Sequence, residues 1–172
     1  MAWKPRLSNR PFVTILAAAV LPLGVASAQD SAVPHCGAFV SYLEPQSVEV
    51  LDLGAEGPSA GDQRLIHETI FDADGNAIGT QDALATMLAR SDEEGRDLFF
   101  VTLLASFADG ELASTALIPS RNTATRAAGP TSRYSRIVTG GTGAFASATG
   151  TVQLETLADG RRQARYDLTC PD

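Results

Sequence analysis

The glycine-rich segment at residues 141–146 is the motif that most directly suggests chemistry in this sequence. "GTGAFA" fits the pattern G-x-G-x-x-G/A of dinucleotide-binding turns, and a strand-like segment precedes it. That fingerprint requires a helix whose N-terminus faces the pyrophosphate. Here Gly150 opens an alternating, strand-like segment, and only 22 residues follow it, too few for the βαβ units of a nucleotide fold. The motif therefore predicts a turn between two strands and no bound nucleotide.

Histidine, cysteine and acidic residues could hold a metal or supply a nucleophile and a base. "DADGN" at residues 72–76 has its glycine two places too early for an EF-hand, and no glutamate stands at the twelfth position. Cys36 beside His35 is one alternative, as a catalytic or metal-binding pair, and His67 is the candidate base of a Ser-His-Asp triad. The two cysteines and two histidines are scattered along the chain and do not have the spacing of metal ligands. We therefore expect no metal and no cofactor.

The N-terminal 28 residues have the composition of a cleaved export signal. Three basic residues lie within the first ten positions, an apolar run follows at residues 12–26, and "ASA" at residues 26–28 predicts cleavage before Gln29. The apolar run is too short for a membrane span. We expect residues 29–172 to form one exported domain, periplasmic or secreted, with no membrane span after cleavage.

The charge and cysteine content of residues 29–172 narrow the choice of partners. Ten arginines and twenty acidic residues give this segment a net charge of −10, which would repel nucleic acid and anionic lipid. Its two cysteines, Cys36 and Cys170, form an even count in an oxidising compartment, which favours a disulfide. Such a bond would hold the first and last segments of the domain side by side.

Asp-Gly pairs, the strongest short hairpin signal, occur three times in the chain, at Asp74-Gly75, Asp109-Gly110 and Asp159-Gly160. The segments around them alternate or are rich in β-forming residues. We predict seven strands, at residues 47–53, 62–71, 98–107, 111–118, 132–139, 151–157 and 161–169.

The segment from Thr80 to Arg90 is ambiguous. Its local pattern favours a helix, because Ala83, Leu84 and Met87 have helical spacing and Thr80 could act as the N-cap. Its position between two hairpin-like turns favours an eighth strand. Sequential antiparallel strands with bridged ends predict a closed barrel, since closure removes exposed edges and eight strands leave room for one small ligand.

A longer stretch around the glycine motif resembles a known family. "RIVTGGTGAFASATGTVQL" at residues 136–154 is similar to the glycine turn of the allene oxide cyclase and dirigent barrels, and "GDQRLIHETIFDADGNAIGTQDALATML" at residues 61–88 resembles the cyclase pattern upstream. The resemblance covers roughly residues 48–169. It implies an all-β, calycin-like, eight-stranded antiparallel barrel, commonly a trimer, with an internal ligand cavity and with Thr80 to Arg90 as a strand.

The family's functional residues are only partly matched. The cysteine of the cyclase "G-L-C" pattern falls on Ala85, and the interior asparagine of the second strand falls on Glu68. Asp52 matches the first-strand aspartate of dirigent proteins, but their arginine after the glycine turn falls on Thr149. The resemblance thus implies a binding barrel with neither complete active site.

Successive side chains of a strand point to opposite faces, and this alternation places two carboxylates on faces that could line the barrel. Asp52 shares a face with Val50 in the first predicted strand, while Glu68 shares one with Arg64 and Ile66 in the second. A carboxylate in an apolar cavity can serve as a general acid or base. The alternative is a structural ion pair between Glu68 and Arg64.

These observations give three functional hypotheses. The first is a site for a small apolar or aromatic molecule, lined by Val50, Arg64, Ile66 and Ala85, with cyclase or isomerase chemistry at Asp52 and Glu68. The second is a non-catalytic carrier of lipocalin or dirigent type. The third is a barrel filled by Phe99, Phe107, Phe145 and aliphatic side chains. We assign a backbone role in turns to four glycines, Gly140, Gly141, Gly143 and Gly150.

Overall fold

The computed structural model describes residues 36–91, 95–121 and 133–171, and in them the chain forms a closed antiparallel barrel of eight strands. Neighbouring strands in sequence pair with each other, and the last strand pairs with the first. The strands are β1 (Ala38–Leu51), β2 (Gln63–Phe71), β3 (Ala77–Ser91), β4 (Arg96–Phe107), β5 (Gly110–Arg121), β6 (Arg133–Gly141), β7 (Thr149–Thr156) and β8 (Arg162–Thr169). The predicted fold class is confirmed. The predicted export signal lies outside the described residues.

The core lies inside the barrel and follows the period of two that strands impose on their side chains. In β4 every second residue from Asp97 to Phe107 is buried, and the residues between them are exposed or half-buried. The inner face is built mostly of aliphatic and small side chains, including several alanines. None of the helices in the described part of the chain is long and apolar enough to cross a membrane.

The segment from Thr80 to Arg90 is a strand, as the family resemblance implies, and the helix that its local pattern favours is wrong. Gln81, Ala83, Ala85 and Met87 alternate inward along β3, and the strand pairs with β2 on one side and β4 on the other. Alanine, leucine and methionine permit either structure locally, and the backbone hydrogen bonds of two neighbouring strands decide between them. The first strand also begins earlier than predicted, at Ala38 instead of residue 47.

The strands differ in length, and some extend beyond their neighbours at one end of the barrel. β8 pairs with β1 only from Ala38 to Leu43, whereas β1 continues along β2 as far as Leu51. The described pairing of β5 with β6 similarly covers Leu112 to Thr115. We call the end formed by the extensions of β1 to β5 the open end.

The opposite end of the barrel is closed by aromatic side chains. Phe145, in a short 3-10 helix between β6 and β7, is fully buried and its ring centroid lies 5.3 Å from that of Phe107. Phe39 stacks on Tyr166 with ring centroids 4.1 Å apart. The predicted disulfide joins Cys36 to Cys170 beside this end, with the Cα atoms 5.9 Å apart. It links the residues that flank the paired strands β1 and β8.

Two turns of the barrel depend on particular residues. Gly140 and Gly143 have φ values of +151° and +58°, which explains why the turn after β6 is rich in glycine. In the β2–β3 hairpin, the Asp72 carboxylate accepts hydrogen bonds at 2.9 Å from the backbone N–H groups of Asp74 and Asn76 and from the Asn76 side chain. "DADGN" is thus a hairpin turn.

Candidate functional site in the open end of the barrel

Four residues predicted to line a cavity share the inner face at the open end. Val50 lies opposite Arg64, which lies opposite Ala85, so the three form one row across β1, β2 and β3. Ile66 faces the same way one row deeper, opposite Val48. Because paired residues of antiparallel strands point to the same face, Val48 and Val50 also face inward. They are nevertheless 56% and 63% exposed, so the barrel is open to solvent here.

Arg64 does not form the predicted pair with Glu68. Its guanidinium lies over the ring of Phe99, 4.6 Å from the ring centroid. A guanidinium on an aromatic face is stabilised by the ring quadrupole. Arg64 therefore brings a positive charge to the open end, above the apolar wall of β3 and β4.

Glu68 lies one row below Ile66 on β2 and is 1% exposed. One of its carboxylate oxygens accepts a hydrogen bond from Arg162 in β8, and the other accepts one from Gln81 in β3. The other nitrogen of the Arg162 fork, Nη2, lies 3.2 Å from the hydroxyl of Tyr134. We call these four residues, Glu68, Gln81, Tyr134 and Arg162, the polar floor.

Asp52 does not join Glu68 inside the barrel, contrary to the predicted placement. β1 ends at Leu51, and Asp52 is exposed in the following loop, where its Oδ2 accepts a hydrogen bond of 3.2 Å from the backbone N–H of Gly57. The prediction extended β1 by two residues, and alternation carries no information beyond the end of a strand. The two carboxylates therefore do not face one cavity.

Deeper in the barrel lies a second group of polar residues that sequence reasoning missed. Arg136 is 1% exposed, and its Nε, Nη1 and Nη2 atoms have no hydrogen-bond partner among the described residues. Ser41 Oγ, Gln81 Oε1 and the Tyr166 hydroxyl are also buried and make no hydrogen bond of good geometry, although Ser41 and Arg136 both lie close enough to the Tyr166 hydroxyl to lower its pKa. The sequence did carry a signal. Residues two apart in a strand lie on the same face, so Arg136 shares a face with Tyr134 and Val138, and this places its charge on the inner face.

Burial dominates the electrostatics of this inner group. Burial lowers the pKa of the Arg136 guanidinium, and the nearby charge of Arg162 lowers it further. Tyr166 and Tyr134, and to a smaller extent Glu68, raise this pKa and so act against the shift. Burial also raises the pKa of the Tyr166 hydroxyl above its ordinary value of 10.0, with Arg136 acting against the shift. At neutral pH Tyr166 is therefore a hydrogen-bond donor.

The outer face of the barrel carries a separate arrangement around His67. Ser47, His67 and Asp82 lie in one row across β1, β2 and β3, and His67 Nδ1 is 2.7 Å from Asp82 Oδ1. They line a groove of about 500 Å³ with apolar residues such as Leu65. Among the described contacts Ser47 makes no hydrogen bond to His67. The row therefore lacks the nucleophile–base contact that a hydrolase triad needs.

Neither this groove nor a second one, of about 330 Å³ beside β1, β7 and β8, has Asp52 or Glu68 in its lining. Within residues 36–91, 95–121 and 133–171, no three histidine, cysteine or acidic side chains are grouped so as to hold a metal ion.

A protein-family model described as "Allene oxide cyclase barrel like domain" matches residues 46–167, well over half of the chain. The chain belongs to this family. A search of curated proteins found no match to this chain. The match begins within β1 and ends within β8, so it covers most of the barrel, the polar floor, Arg136 and Tyr166, but not Ser41.

Solved structures with the same fold include proteins of different activities. A pyocyanin demethylase is 20% identical, with a TM-score of 0.63, over 77% of this chain and 99% of that one. The Diels-Alderase AbmU from Streptomyces koyangensis is 15% identical with a TM-score of 0.53, and the alignment covers 76% of this chain but only 60% of AbmU. A heme-binding cyclase of neoabyssomicin biosynthesis is 14% identical with a TM-score of 0.55, over 77% of this chain and 66% of that one. At these identities the likeness shows the fold alone.

Proposed function

We propose that this allene oxide cyclase-like chain is an exported protein that binds a small apolar or aromatic molecule at the open end of its barrel, with Glu68 as the acid–base group of a cyclase or isomerase reaction. The observation that carries the proposal is the pair Val48 and Val50, which face the barrel interior yet are more than half exposed. Soluble proteins seldom leave inward-facing apolar side chains in contact with water unless a ligand or partner covers them.

The chemistry of the open end supports an apolar or aromatic ligand. Its walls are Ile66, Ala83, Ala85 and Phe99, and its polar groups are Arg64 at the rim and Glu68 in the polar floor. A few fixed polar groups in an apolar cleft are typical of small-molecule sites. Barrels of the same fold include a cyclase and a demethylase, which supports a small-molecule ligand for this fold.

Glu68 is the group best placed to act on such a ligand. Its carboxylate oxygens are oriented by Arg162 and Gln81, so their remaining lone pairs have a defined direction for proton abstraction. Asp52 lies outside the barrel, and the proposal gives it no part in the reaction.

A non-catalytic carrier is the second candidate, favoured by the same contacts. Both oxygens of Glu68 already have partners, as in a structural ion pair that positions a ligand without reacting with it. The two candidates differ in turnover. Once the molecule that copurifies with the exported protein is identified by mass spectrometry, its conversion is compared between the wild-type protein and Glu68→Gln at a temperature where circular dichroism shows the variant folded and the molecule still binds it. Conversion lost in the folded variant supports the enzyme, conversion retained in it excludes Glu68 as the acid–base group, and no conversion by either protein supports the carrier.

Export is part of this proposal and rests on two features of the chain. The first 28 residues have the composition of a signal peptide, and the Cys36–Cys170 disulfide is typical of oxidising compartments. Determining the N-terminal residue of protein recovered from the periplasm or medium tests it. We expect Gln29 to be first.

The family resemblance also implies a trimer, and the outer surface supports self-association. Leu65, Phe100, Leu104 and Leu117 point outward from β2, β4 and β5 and are 39–59% exposed. We propose that copies of this chain cover them. Light scattering gives the mass directly, and Phe100→Asp should lower it to that of one chain.

Binding at the open end can be tested with a neutral fluorescent probe such as Nile red and two matched variants. Val50→Lys places a charge at the open end, whereas Ile137→Lys places one on the outer face at a residue of equal exposure, 65% against 63%. We expect Val50→Lys to weaken probe binding about tenfold and Ile137→Lys to leave it unchanged. Equal binding by both variants would refute the site.

A further inference from the structure

The strongest unexplained feature of the interior is the unpaired charge of Arg136. A guanidinium has five N–H donors, keeps its charge in proteins, and is costly to bury without an anion. All three nitrogens of Arg136 are inaccessible, and none makes a hydrogen bond of good geometry to a described residue, although the guanidinium lies close enough to the Tyr166 hydroxyl to lower the pKa of that group. Native proteins rarely leave such a group unsatisfied, and each case calls for a specific partner.

The groups around Arg136 offer a set of donors with too few acceptors. Arg136, Val152 and Tyr166 lie opposite one another in one row across β6, β7 and β8, and Ser41 faces inward from the neighbouring β1. The Tyr166 hydroxyl lies close to Ser41 and Arg136, but none of the three makes a hydrogen bond of good geometry to another. Together with the guanidinium they can donate several hydrogen bonds to a single oxygen-rich group.

No carboxylate of the described chain is left to pair with Arg136 alone. Glu68 is the carboxylate of the polar floor, and its oxygens are occupied by Arg162 and Gln81. The other two buried carboxylates of the described chain are engaged elsewhere, since Asp97 lies 3.8 Å from Arg90 and Asp62 binds backbone N–H groups of its own loop. Two guanidinium groups therefore share one carboxylate in the interior.

We infer that Arg136 binds the carboxylate of a compact organic acid inside the barrel, and that Tyr166 and Ser41 donate further hydrogen bonds to it. A planar carboxylate matches the fork of a guanidinium, which can donate to both oxygens at once. The inference rests on the proposed function and narrows it: the ligand carries an anionic group as well as its apolar or aromatic body.

The fold also suggests how the acid reaches Arg136. The side chain of Arg162 is 28% exposed, whereas that of Glu68 is 2% exposed, so Arg162 connects the polar floor with solvent. Arg64 adds a second positive charge at the rim. We expect an acid to enter from the open end, because Arg64 and Arg162 are partly exposed there and carry positive charge.

Benzoate and benzyl alcohol, which differ mainly in charge, test the inference by calorimetry on the exported, disulfide-bonded protein. We expect benzoate to bind wild-type protein at least about tenfold more tightly than benzyl alcohol, and Arg136→Met to remove that difference. Arg165→Met, on the outer face of β8, is the control and should retain it. Arg136→Met should also raise the melting temperature without ligand, because it removes an unmatched buried charge.

Other outcomes separate this inference from the proposed function. If wild-type protein binds Nile red but prefers benzoate no more than benzyl alcohol, the inference fails and the apolar site stands. If neither Nile red nor benzoate binds, both fail. If Arg64→Met removes the preference for benzoate and Arg136→Met retains it, the acid binds at the rim and the assignment to Arg136 is wrong. The wild-type comparison holds even if Arg136→Met does not fold.

Discussion

Arg162 in the last strand donates a hydrogen bond to the carboxylate of Glu68 in the second strand, although 94 residues separate them in sequence. β1 lies between β2 and β8 in the barrel, so this contact spans an intervening strand. The same carboxylate accepts a hydrogen bond from Gln81 in β3. One buried side chain thus connects three strands across the point where the barrel closes.

Removing the charge of Glu68 should destabilise the barrel strongly. Glu68→Gln leaves Arg162 without its anion, and breaking one partner of a buried pair costs about 3–5 kcal/mol. Glu155→Gln is a matched control, because Glu155 pairs with Arg133 at 2.7 Å on the surface, where the expected loss is below about 1 kcal/mol. Urea unfolding of the three proteins gives both values. Similar losses for the two variants would show that the buried pair has no special role.

The disulfide should contribute a large part of the stability of this single barrel. Cys36 and Cys170 are 134 residues apart, and closing a loop of that length restricts the unfolded chain by roughly 4–5 kcal/mol on the entropic model. Replacing both cysteines with alanine should lower the free energy of unfolding by that order, as measured by urea denaturation. An unchanged midpoint, or one insensitive to reductant in the wild type, would contradict the expectation.

Most of the fold could be predicted from local signals. Asp-Gly pairs mark the hairpins, and alternation identifies seven strands because each has one face in the core. The eighth, from Thr80 to Arg90, could not be assigned locally, since its alanines, leucines and methionine suit a helix equally well. Only pairing with β2 and β4 decides its structure.

The candidate site was predicted less completely, and each difference has a physical reason. Val50, Arg64 and Ala85 do share a row, because parity within a strand fixes the face on which a side chain lies. Asp52 lies beyond the end of β1, and the alternation of side chains along a strand does not show where the strand ends. Arg162 and Arg136 come from strands distant in sequence, and which of them meets Glu68 depends on how the barrel closes.

Acid should weaken the β2–β3 hairpin through Asp72. The hydrogen bond from the Asn76 side chain, followed by that from the Asn76 backbone, lowers the pKa of this carboxyl below its ordinary value of 3.8. A carboxyl with a lowered pKa in the folded state stabilises fully above its unfolded pKa, and that contribution is lost as pH falls through the folded pKa. Wild-type stability should therefore decline below about pH 4.

Asn76→Ala removes the main donor to Asp72 and tests this pH dependence. The variant should be less stable than wild type by a constant amount at neutral pH, and the difference should shrink as the pH is lowered from about 4 to 2. Thermal unfolding followed by circular dichroism across this range measures it. A difference that stays constant down to pH 2 would show that protonation of Asp72 is not involved.

Gly150 and Gly37 allow the effect of close packing to be separated from that of backbone conformation. Both have φ of +133°, which disfavours any residue with a Cβ atom. A Cβ at Gly150 would overlap the carbonyl oxygen of Asp167 in β8, whereas a Cβ at Gly37 would meet no atom within 4 Å.

Gly37→Ala should therefore cost about 1–3 kcal/mol through backbone strain alone. Gly150→Ala should cost roughly 1–3 kcal/mol more, because β7 and β8 must move apart to admit the methyl group. The free energies of unfolding of the two variants measure the difference, and hydrogen exchange at the β7–β8 pairs should increase only in Gly150→Ala. If the two substitutions cost the same, positive φ alone requires glycine at residue 150, and the close approach of β8 imposes no further constraint.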